Sequence, residues 1–276
     1  MSRFPLKNFF RLVVRFPRVT IVLLALGALL YAYEWIVVRP KMVYMGIPAA
    51  QRYDPMQWTR ILRNSGYICG YSELRGNPLW VVYRLEALPK NAPRYKRPES
   101  FSADWRSLTH IDSSDYTRSG YDRGHMAPNY AISRLYGKAA QQETFLMTNI
   151  VPQKANLNQK VWQRLEEWEI NRFTKRFREL WVYTGPVFDS KVERLQSAWR
   201  VEIPDAFYKV YAGIDAAGAP HLLAFLIPQT VRGNETPEQF LTTVDRIEAL
   251  IGFDFFHELD DSLEKRLESE VRYAGW

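Results

Sequence analysis

The chain has 276 residues, 47% apolar and 24% charged, a composition typical of a folded globular protein rather than a disordered one. Its single cysteine, Cys69, excludes an internal disulfide framework and any zinc site built from several cysteines, and we expect it to be a small buried residue. Of the net charge of +7, residues 1–41 carry +6 and the remainder about +1, so the basicity is no evidence for a nucleic-acid partner.

An apolar segment follows the basic N-terminus. Residues 19–38 reach the length of about 20 that spans a bilayer, and the fifteen from Val19 to Tyr33 are uncharged and mostly apolar. We expect a transmembrane signal anchor at 19–38, preceded by a basic cytoplasmic segment at 1–18. Five basic residues precede the stretch and fewer follow it closely, so the positive-inside rule places everything after residue 41 outside the cytoplasm.

Two alternatives to the anchor are weaker. A cleaved signal peptide is disfavoured because no clear small-x-small cleavage site follows the apolar run. A buried core helix is disfavoured because the run has no polar face.

The first half of the remaining chain contains one clear element. Residues 78–86 (PLWVVYRLE) are rich in β-branched and aromatic side chains and predict a strand. Residues 42–65 and 101–120 look irregular, and a basic loop with three prolines, 88–100, follows the strand.

Later elements are better defined. Residues 157–180 have helical spacing without Gly or Pro, and 180–188 predict a strand. Residues 206–215 and 221–229 predict two more strands joined as a hairpin. Thr236 as N-cap, Pro237 as first residue and Gly252 as stop predict a helix. One mixed α/β domain at 42–276 fits this order best.

The motif Asp-Arg-Gly-His at 122–125 is the most distinctive chemical feature. An extended backbone would place Arg123 and His125 on one face and Asp122 on the other, with Gly124 allowing a ligand or another backbone close approach. An arginine can hold a phosphate diester while a neutral histidine accepts a proton. From these four residues alone, a buried salt-linked turn with a satisfied histidine remains the simpler interpretation.

An amide-rich stretch at 148–169 strengthens the catalytic interpretation. Amides there could serve only as caps and turn formers. However, Asn158 stands at the predicted helix start and Glu166 lies eight residues on, which sets their side chains about 80° apart around a helix. Both could therefore line one cleft.

Together, DRGHMAP and TNIVPQ…LNQ…W..LE resemble the DNA/RNA non-specific endonucleases of the ββα-metal type, a family that includes sugar-non-specific bacterial nucleases and mitochondrial endonuclease G. The resemblance covers residues 44–260, including KRPESFSAD, which is similar to the family's Arg-x-x-x-Phe-x-x-Asp element. It implies an α+β fold in which a central antiparallel sheet is flanked by helices, here preceded by one transmembrane helix.

The resemblance also implies site roles. His125 would be the general base, and Asn158 would be the one protein ligand of a Mg²⁺ ion, with Mn²⁺ as an alternative. Glu166 would hold metal-bound water, Arg123 would contact the phosphate, and Asn149 would help orient the site. A basic residue of the loop would stabilise the charge of the transition state. Arg97 is the first match, and its neighbours Arg94 and Lys96 are the alternatives. All three are substrate-binding candidates.

These observations favour a membrane-anchored, Mg²⁺-dependent endonuclease that cuts DNA and RNA, single- or double-stranded, without sequence preference. Its domain would face the bacterial periplasm, with the mitochondrial intermembrane space as the alternative, and the family implies a homodimer as a candidate assembly. Two other functions stay open: a nucleic-acid-binding membrane protein without catalysis, and a phosphodiesterase acting on another substrate such as a lipid headgroup.

Overall fold

The computed structural model describes residues 15–276. Contacts divide the chain into two units, Met1–Lys41 and Met42–Trp276. Most of the basic segment predicted at 1–18 therefore lies outside the described residues.

The first unit contains helix α1, Pro17–Tyr33, which continues as a π-helical segment, Glu34–Val38, and leads to a four-residue helix α2, Arg39–Met42. The run Pro17–Val38 is long and apolar enough to cross a membrane, and none of α1 is buried. A signal sequence near an N-terminus has the same properties, so this helix fits both the anchor and the signal peptide considered from the sequence.

The second unit contains short and long strands. In chain order they are β1 Ala49–Ala50, β2 Arg60–Arg63, β3 Ile68–Ser72, β4 Asn77–Leu85, β5 Asp122–His125, β6 Ile150–Gln153, β7 Glu179–Val187, β8 Arg194–Leu195, β9 Ala198–Glu202, β10 Ala206–Ile214, β11 Pro220–Pro228, β12 Leu241–Thr242 and β13 Phe253–Asp254.

Its helices connect these strands. They are α3 Asn129–Thr144, α4 Gln163–Trp168, α5 Thr174–Arg176, α6 Val244–Ile251 and α7 Asp261–Glu268. A π-helical segment, Leu157–Trp162, precedes α4, and a second one, Glu169–Phe173, connects α4 to α5. We call the continuous run 157–176 the long helix. Short 3₁₀ turns lie at Pro55–Gln57, Ser113–Tyr116, Met147–Asn149 and Pro237–Phe240.

Seven strands form one antiparallel sheet in the order β12-β11-β10-β7-β4-β3-β2. Three two-stranded antiparallel pairs accompany it: β1–β13, β5–β6 and β8–β9. The large sheet is central, which agrees with the antiparallel α+β architecture expected from the sequence.

Alternation along the strands divides the core into two layers. On β4, Val81, Tyr83 and Leu85 face one layer, whereas Trp80 and Val82 face the other. The first layer packs against α3 and the long helix; the second packs against α6 and α7. The sheet is therefore covered on both faces, and β6 contributes Ile150 and Val151 to the first layer.

The structure corrects several boundaries. The helix predicted at 157–180 ends at Arg176, because Phe177 is extended (φ −105°, ψ 142°) and its buried ring leads into β7. Thr236 and Pro237 begin a 3₁₀ turn, as predicted for a helix start, but the α-helix itself begins only at Val244, where Thr243 accepts a hydrogen bond from the Arg246 N–H. Gly252 ends that helix with φ 71°, as expected.

Two further regions differ from the sequence interpretation. Residues 42–65 are not wholly irregular, since β2 forms the outer strand of the large sheet there. Helix α3 was not predicted at all. Gly137, with φ 89°, breaks its helical geometry in the middle, so the sequence carries no uninterrupted helical period.

Two features of the interior matter later. Cys69 on β3 is completely buried, as expected, and burial raises the pKa of its thiol to about 12. In the second layer, Asp245, Glu248 and Glu268 place carboxylate oxygens within 4.8 Å of one another. Glu248 and Glu268 are both buried.

Candidate active site

The ββα arrangement implied by the resemblance is formed by β5, β6 and the long helix. β5 pairs with β6 so that His125 lies opposite Ile150 and Asp122 opposite Gln153. Since β6 ends at Gln153 and the helix begins at Leu157, the start of the helix lies beside the start of β5. This connection brings Asn158 next to Asp122.

Gly124 is required by close packing inside this strand pair. A Cβ atom at this position would lie 2.0 Å from Oε1 of Gln153 and 2.4 Å from its Cδ. The expectation that a ligand or another backbone approaches Gly124 was therefore wrong, since a side chain of the neighbouring strand occupies the space.

A cleft of about 750 Å³ opens at this motif. Five of the residues singled out from the sequence line it: Arg97, Arg123, His125, Asn158 and Glu166. The cleft is also lined by α3 residues, including Tyr130, and by amides of the long helix, including Gln159 and Gln163. Such a concave, polar and partly cationic site suits an anionic substrate.

Three other candidates, Arg94, Lys96 and Asn149, lie outside the lining of the cleft. Arg94 is exposed, and Lys96 pairs with Glu99 at 2.6 Å on the surface. Of the three basic candidates in this loop, only Arg97 reaches the cleft.

Asn149 is completely buried beneath the strand that carries His125. Its Oδ1 accepts the Ala127 N–H at 2.8 Å, and its Nδ2 donates to the carbonyls of Ala127 at 3.1 Å and Thr144 at 2.9 Å. Its own carbonyl accepts the Met126 N–H at 3.0 Å. Asn149 thus fixes the backbone that directly follows His125.

His125 lies between two aromatic rings. Its centroid is 5.3 Å from that of Phe101 and 4.9 Å from that of Phe145. Its Nε2 is buried and has no hydrogen-bond partner among the described residues. Burial, and secondly the Arg97 charge, lowers the pKa of His125 to about 3, so the imidazole is neutral and can accept a proton.

The two arginines flank these rings. Arg97 lies 4.9 Å from the Phe145 centroid, and Arg123 lies 5.8 Å from that of Phe101. Arg123 also donates from Nε and Nη2 to the Ser113 carbonyl, at 3.2 and 2.6 Å. Cation–π contacts of this kind orient guanidinium groups while leaving them charged.

Asn158 is oriented by the acid of the motif. Its Nδ2 donates to Oδ2 of Asp122 at 3.0 Å, and Nε2 of Gln159 donates to the same oxygen at 2.8 Å. A carboxylate only accepts, so the amide nitrogen of Asn158 faces Asp122 and its amide oxygen faces away. Asp122, which alternation places on the other face of β5 from Arg123 and His125, therefore binds the amides at the start of the long helix.

Glu166 lies one turn before a buried charge network. Burial raises its pKa to about 7, while Lys209 opposes this shift and Glu169 adds to it. Lys209 and Glu169 are completely buried and form an ion pair. Tyr83 donates to both Glu169 oxygens, at 3.2 and 3.1 Å, and Tyr211 donates to one at 3.0 Å. The network connects the long helix to β4 and β10.

Comparison with known proteins places this site in a family. Residues 51–262 match the model of the DNA/RNA non-specific endonucleases. The chain belongs to that family. It is a nucleic-acid hydrolase within a family of metal-dependent nucleases.

Several known proteins align with most of this endonuclease chain. A nuclease of Nostoc sp. is 28% identical over 217 residues, 74% of this chain and 76% of that protein. Human mitochondrial endonuclease G is 30% identical over 209 residues, 70% of this chain and 68% of that protein. A chain in the solved EndoG/EndoGI complex superimposes with a TM-score of 0.61 at 26% identity, covering 72% of this chain and 86% of that one.

The donor set of the endonuclease cleft fits a hard divalent cation. Mg²⁺ prefers oxygen ligands and few protein groups. The amide oxygen of Asn158 and the carboxylate of Glu166 supply such ligands, and Asp122 orients the first of them. The residues present are therefore compatible with one metal ion coordinated largely by water.

Sequence reasoning missed the residues that hold the site together. Phe101 was visible in the Arg-x-x-x-Phe element, but nothing showed that its ring packs on His125. Phe145 and Lys209 carried no local signal, because only the fold brings them near the cleft.

Proposed function

We propose that this endonuclease hydrolyses phosphodiester bonds of DNA and RNA with His125 as general base, using Mg²⁺ bound by Asn158 and, through water, by Glu166. The observation that carries the proposal is that His125, packed between the Phe101 and Phe145 rings, shares one cleft with Asn158 and Glu166.

Each protein group has a distinct task in this proposal. The neutral imidazole of His125 accepts a proton from the attacking water, and Arg123 and Arg97 bind the phosphate and stabilise the charge that develops on it. Asn149 is a positioning residue that fixes the backbone after His125. When bound, Mg²⁺ would supply Lewis-acid stabilisation of the phosphoryl and leaving oxygens.

The charge state of His125 supports its role as the base. A histidine packed between two rings and next to Arg97 loses affinity for protons, and it is therefore neutral before the reaction. A neutral amide ligand leaves the metal's positive charge available to the phosphate.

The decisive experiment uses the full chain in mild detergent with supercoiled plasmid and single-stranded RNA, in Mg²⁺ or in EDTA. We expect both polymers to be cut only with Mg²⁺, and His125→Ala to abolish cutting. The matched control is His221→Ala, whose histidine pairs with Asp215 at 2.9 Å and does not line the cleft.

Two added measurements, DNA binding and cleavage of lipid micelles, separate the two alternatives. A folded wild-type chain that binds DNA but cuts neither polymer would be a binding protein. A chain that cuts a phosphodiester in lipid micelles but not nucleic acid would be a different phosphodiesterase.

We further propose that residues 19–38 anchor the enzyme in a membrane with the catalytic unit outside the cytoplasm, the bacterial periplasm being the compartment we favour. The apolar run Pro17–Val38 and the basic residues before it support this topology. Protease added to spheroplasts should digest residues 42–276; protection of that unit would contradict the proposed orientation.

A further inference from the structure

Tyr130 is an aromatic residue of the cleft that no catalytic role explains. It lies at the start of α3, five residues after His125, and lines the same cleft. Its side chain is 53% exposed, whereas its helix neighbours Ala131 and Ile132 are 2% and 0% exposed. Packing of the core therefore does not account for a large ring at this position.

The Tyr130 ring is held by a cation. The Arg134 guanidinium, one helical turn further on, lies 4.8 Å from the ring centroid. This contact restricts the ring and places a positive charge beside it. Since Arg134 occupies one side of the ring, the exposed remainder is available to a molecule in the cleft.

An aromatic face beside a positive charge matches the chemistry of single-stranded nucleic acids. Bases stack on such rings without regard to sequence, while arginines attract the backbone phosphates. A base inside a duplex has both faces covered by its neighbours. Only an unpaired or displaced base can therefore use the ring.

A second exposed aromatic residue with a neighbouring arginine lies outside the cleft. Trp199 is 72% exposed and carries Arg200 at 5.5 Å, so it resembles the Tyr130 pair chemically. It does not line the cleft. Its exposure alone implies no ligand, but it provides a matched control.

We propose that Tyr130, restrained by Arg134, is a stacking subsite for an unpaired nucleobase next to the phosphodiester that is cut. This inference rests on the proposed nuclease function and specifies its substrate: single strands, or duplex ends and distortions that expose a base. The subsite improves binding of such strands and leaves the proton-transfer chemistry at His125 unchanged.

The test uses the full chain and short DNA single strands in which one linkage is a phosphodiester and the others are nuclease-resistant phosphorothioates. Stacking on an aromatic residue contributes about 1–3 kcal/mol per base, or about 5- to 150-fold in binding. We expect Tyr130→Leu to raise KM for these strands by a factor in that range with kcat nearly unchanged. Tyr130→Phe, which keeps the ring, and the control Trp199→Leu should behave like the wild type.

Abasic substitution gives an independent measurement. In the wild type, removing the base at one fixed position beside the cleavable linkage should raise KM about as much as Tyr130→Leu does. In Tyr130→Leu the same abasic strand should carry no further penalty, because the two changes remove one contact. Circular dichroism of the variant verifies that it is folded.

The outcomes are distinguishable. A wild-type chain that cuts none of the strands contradicts the proposed function itself. A wild-type chain that cuts them, with no abasic penalty at any position, overturns the stacking subsite whether or not Tyr130→Leu folds. An abasic penalty that persists unchanged in folded Tyr130→Leu overturns it as well.

Discussion

The side-chain nitrogen of Asn158 donates to the Asp122 carboxylate at 3.0 Å, so the first acid of the DRGH motif sets the orientation of the first amide of the long helix. Asp122 lies on β5 and Asn158 36 residues later, and the pairing of β5 with β6 brings them together. The motif therefore supplies a base through His125 and an orienting group through Asp122.

Removal of this orienting group should weaken the metal site more than it weakens the fold. In Asp122→Ala we expect the Mg²⁺ concentration for half-maximal activity to rise about 10- to 100-fold, as is typical when the partner of a metal ligand is lost. Titration of activity with Mg²⁺ measures this. Gln159→Ala is the matched control, because it removes the other donor to Asp122 and leaves Asn158 oriented; an equal effect of both variants would contradict the assignment.

The pH dependence of activity should be governed by Glu166 rather than by His125. The pKa of His125 is lowered to about 3, so its basic form persists far below neutrality, whereas the pKa of Glu166 is raised to about 7, so its carboxylate is lost as the pH falls through that value. Because metal binding favours the ionised carboxylate, higher Mg²⁺ should move the acidic limb of the rate profile to lower pH. An acidic limb that does not depend on Mg²⁺ concentration and moves to higher pH in Phe145→Leu, where the imidazole is less buried, would point to His125 instead.

The buried pair of Lys209 and Glu169 should behave as one unit. Lys209→Met leaves the Glu169 charge uncompensated in the core, and we expect a loss of about 3–5 kcal/mol in the free energy of unfolding. The double variant Lys209→Met/Glu169→Gln should recover much of that loss. Urea denaturation of the single and double variants measures the coupling, and strictly additive losses would contradict it.

Stability should also depend on pH through the second layer of the core. Burial, and then the charges of Glu248, Glu264, Asp245 and Asp254, raises the pKa of Glu268 to about 9. A carboxyl group with a higher pKa in the folded chain binds its proton more tightly there. Its contribution to stability is therefore complete below about pH 4.5 and is lost as the pH rises towards 9.

Thermal unfolding at a series of pH values checks this expectation. The Tm of the wild type should fall between the two pKa values, and Glu268→Gln should make that fall shallower. Glu270→Gln removes an exposed acid that pairs with Arg272 at 2.6 Å, and it should leave the slope unchanged. Identical slopes in all three chains would rule out Glu268 as the cause.

The sequence predicted best what short stretches encode. The strands β4, β7, β10 and β11 follow from β-branched and aromatic runs, and the grouping of the DRGH motif with Asn158 and Glu166 follows from the resemblance to the family. These side chains share one cleft because β6 leads directly into the long helix. Their individual roles stay proposals.

What the sequence did not predict depends on contacts between distant parts of the chain. The lowered pKa of His125 comes from burial beside Phe101 and Phe145, which lie 24 residues before it and 20 residues after it, and secondly from the Arg97 charge. Lys209 faces the first core layer only because alternation along β10 places it there, where a sequence pattern would favour an apolar residue. Helix α3 was missed because Gly137 interrupts its period.

The burial of Cys69 allows local opening of the folded chain to be measured by thiol labelling. The thiol is completely buried on β3, its pKa is raised to about 12, and the sequence contains no other cysteine. A thiol-specific dye in solution can therefore react only when the first core layer opens around Cys69, and each chain contributes one signal. The rate of labelling reports how often that layer opens, and it allows every variant above to be compared at working temperature without denaturant.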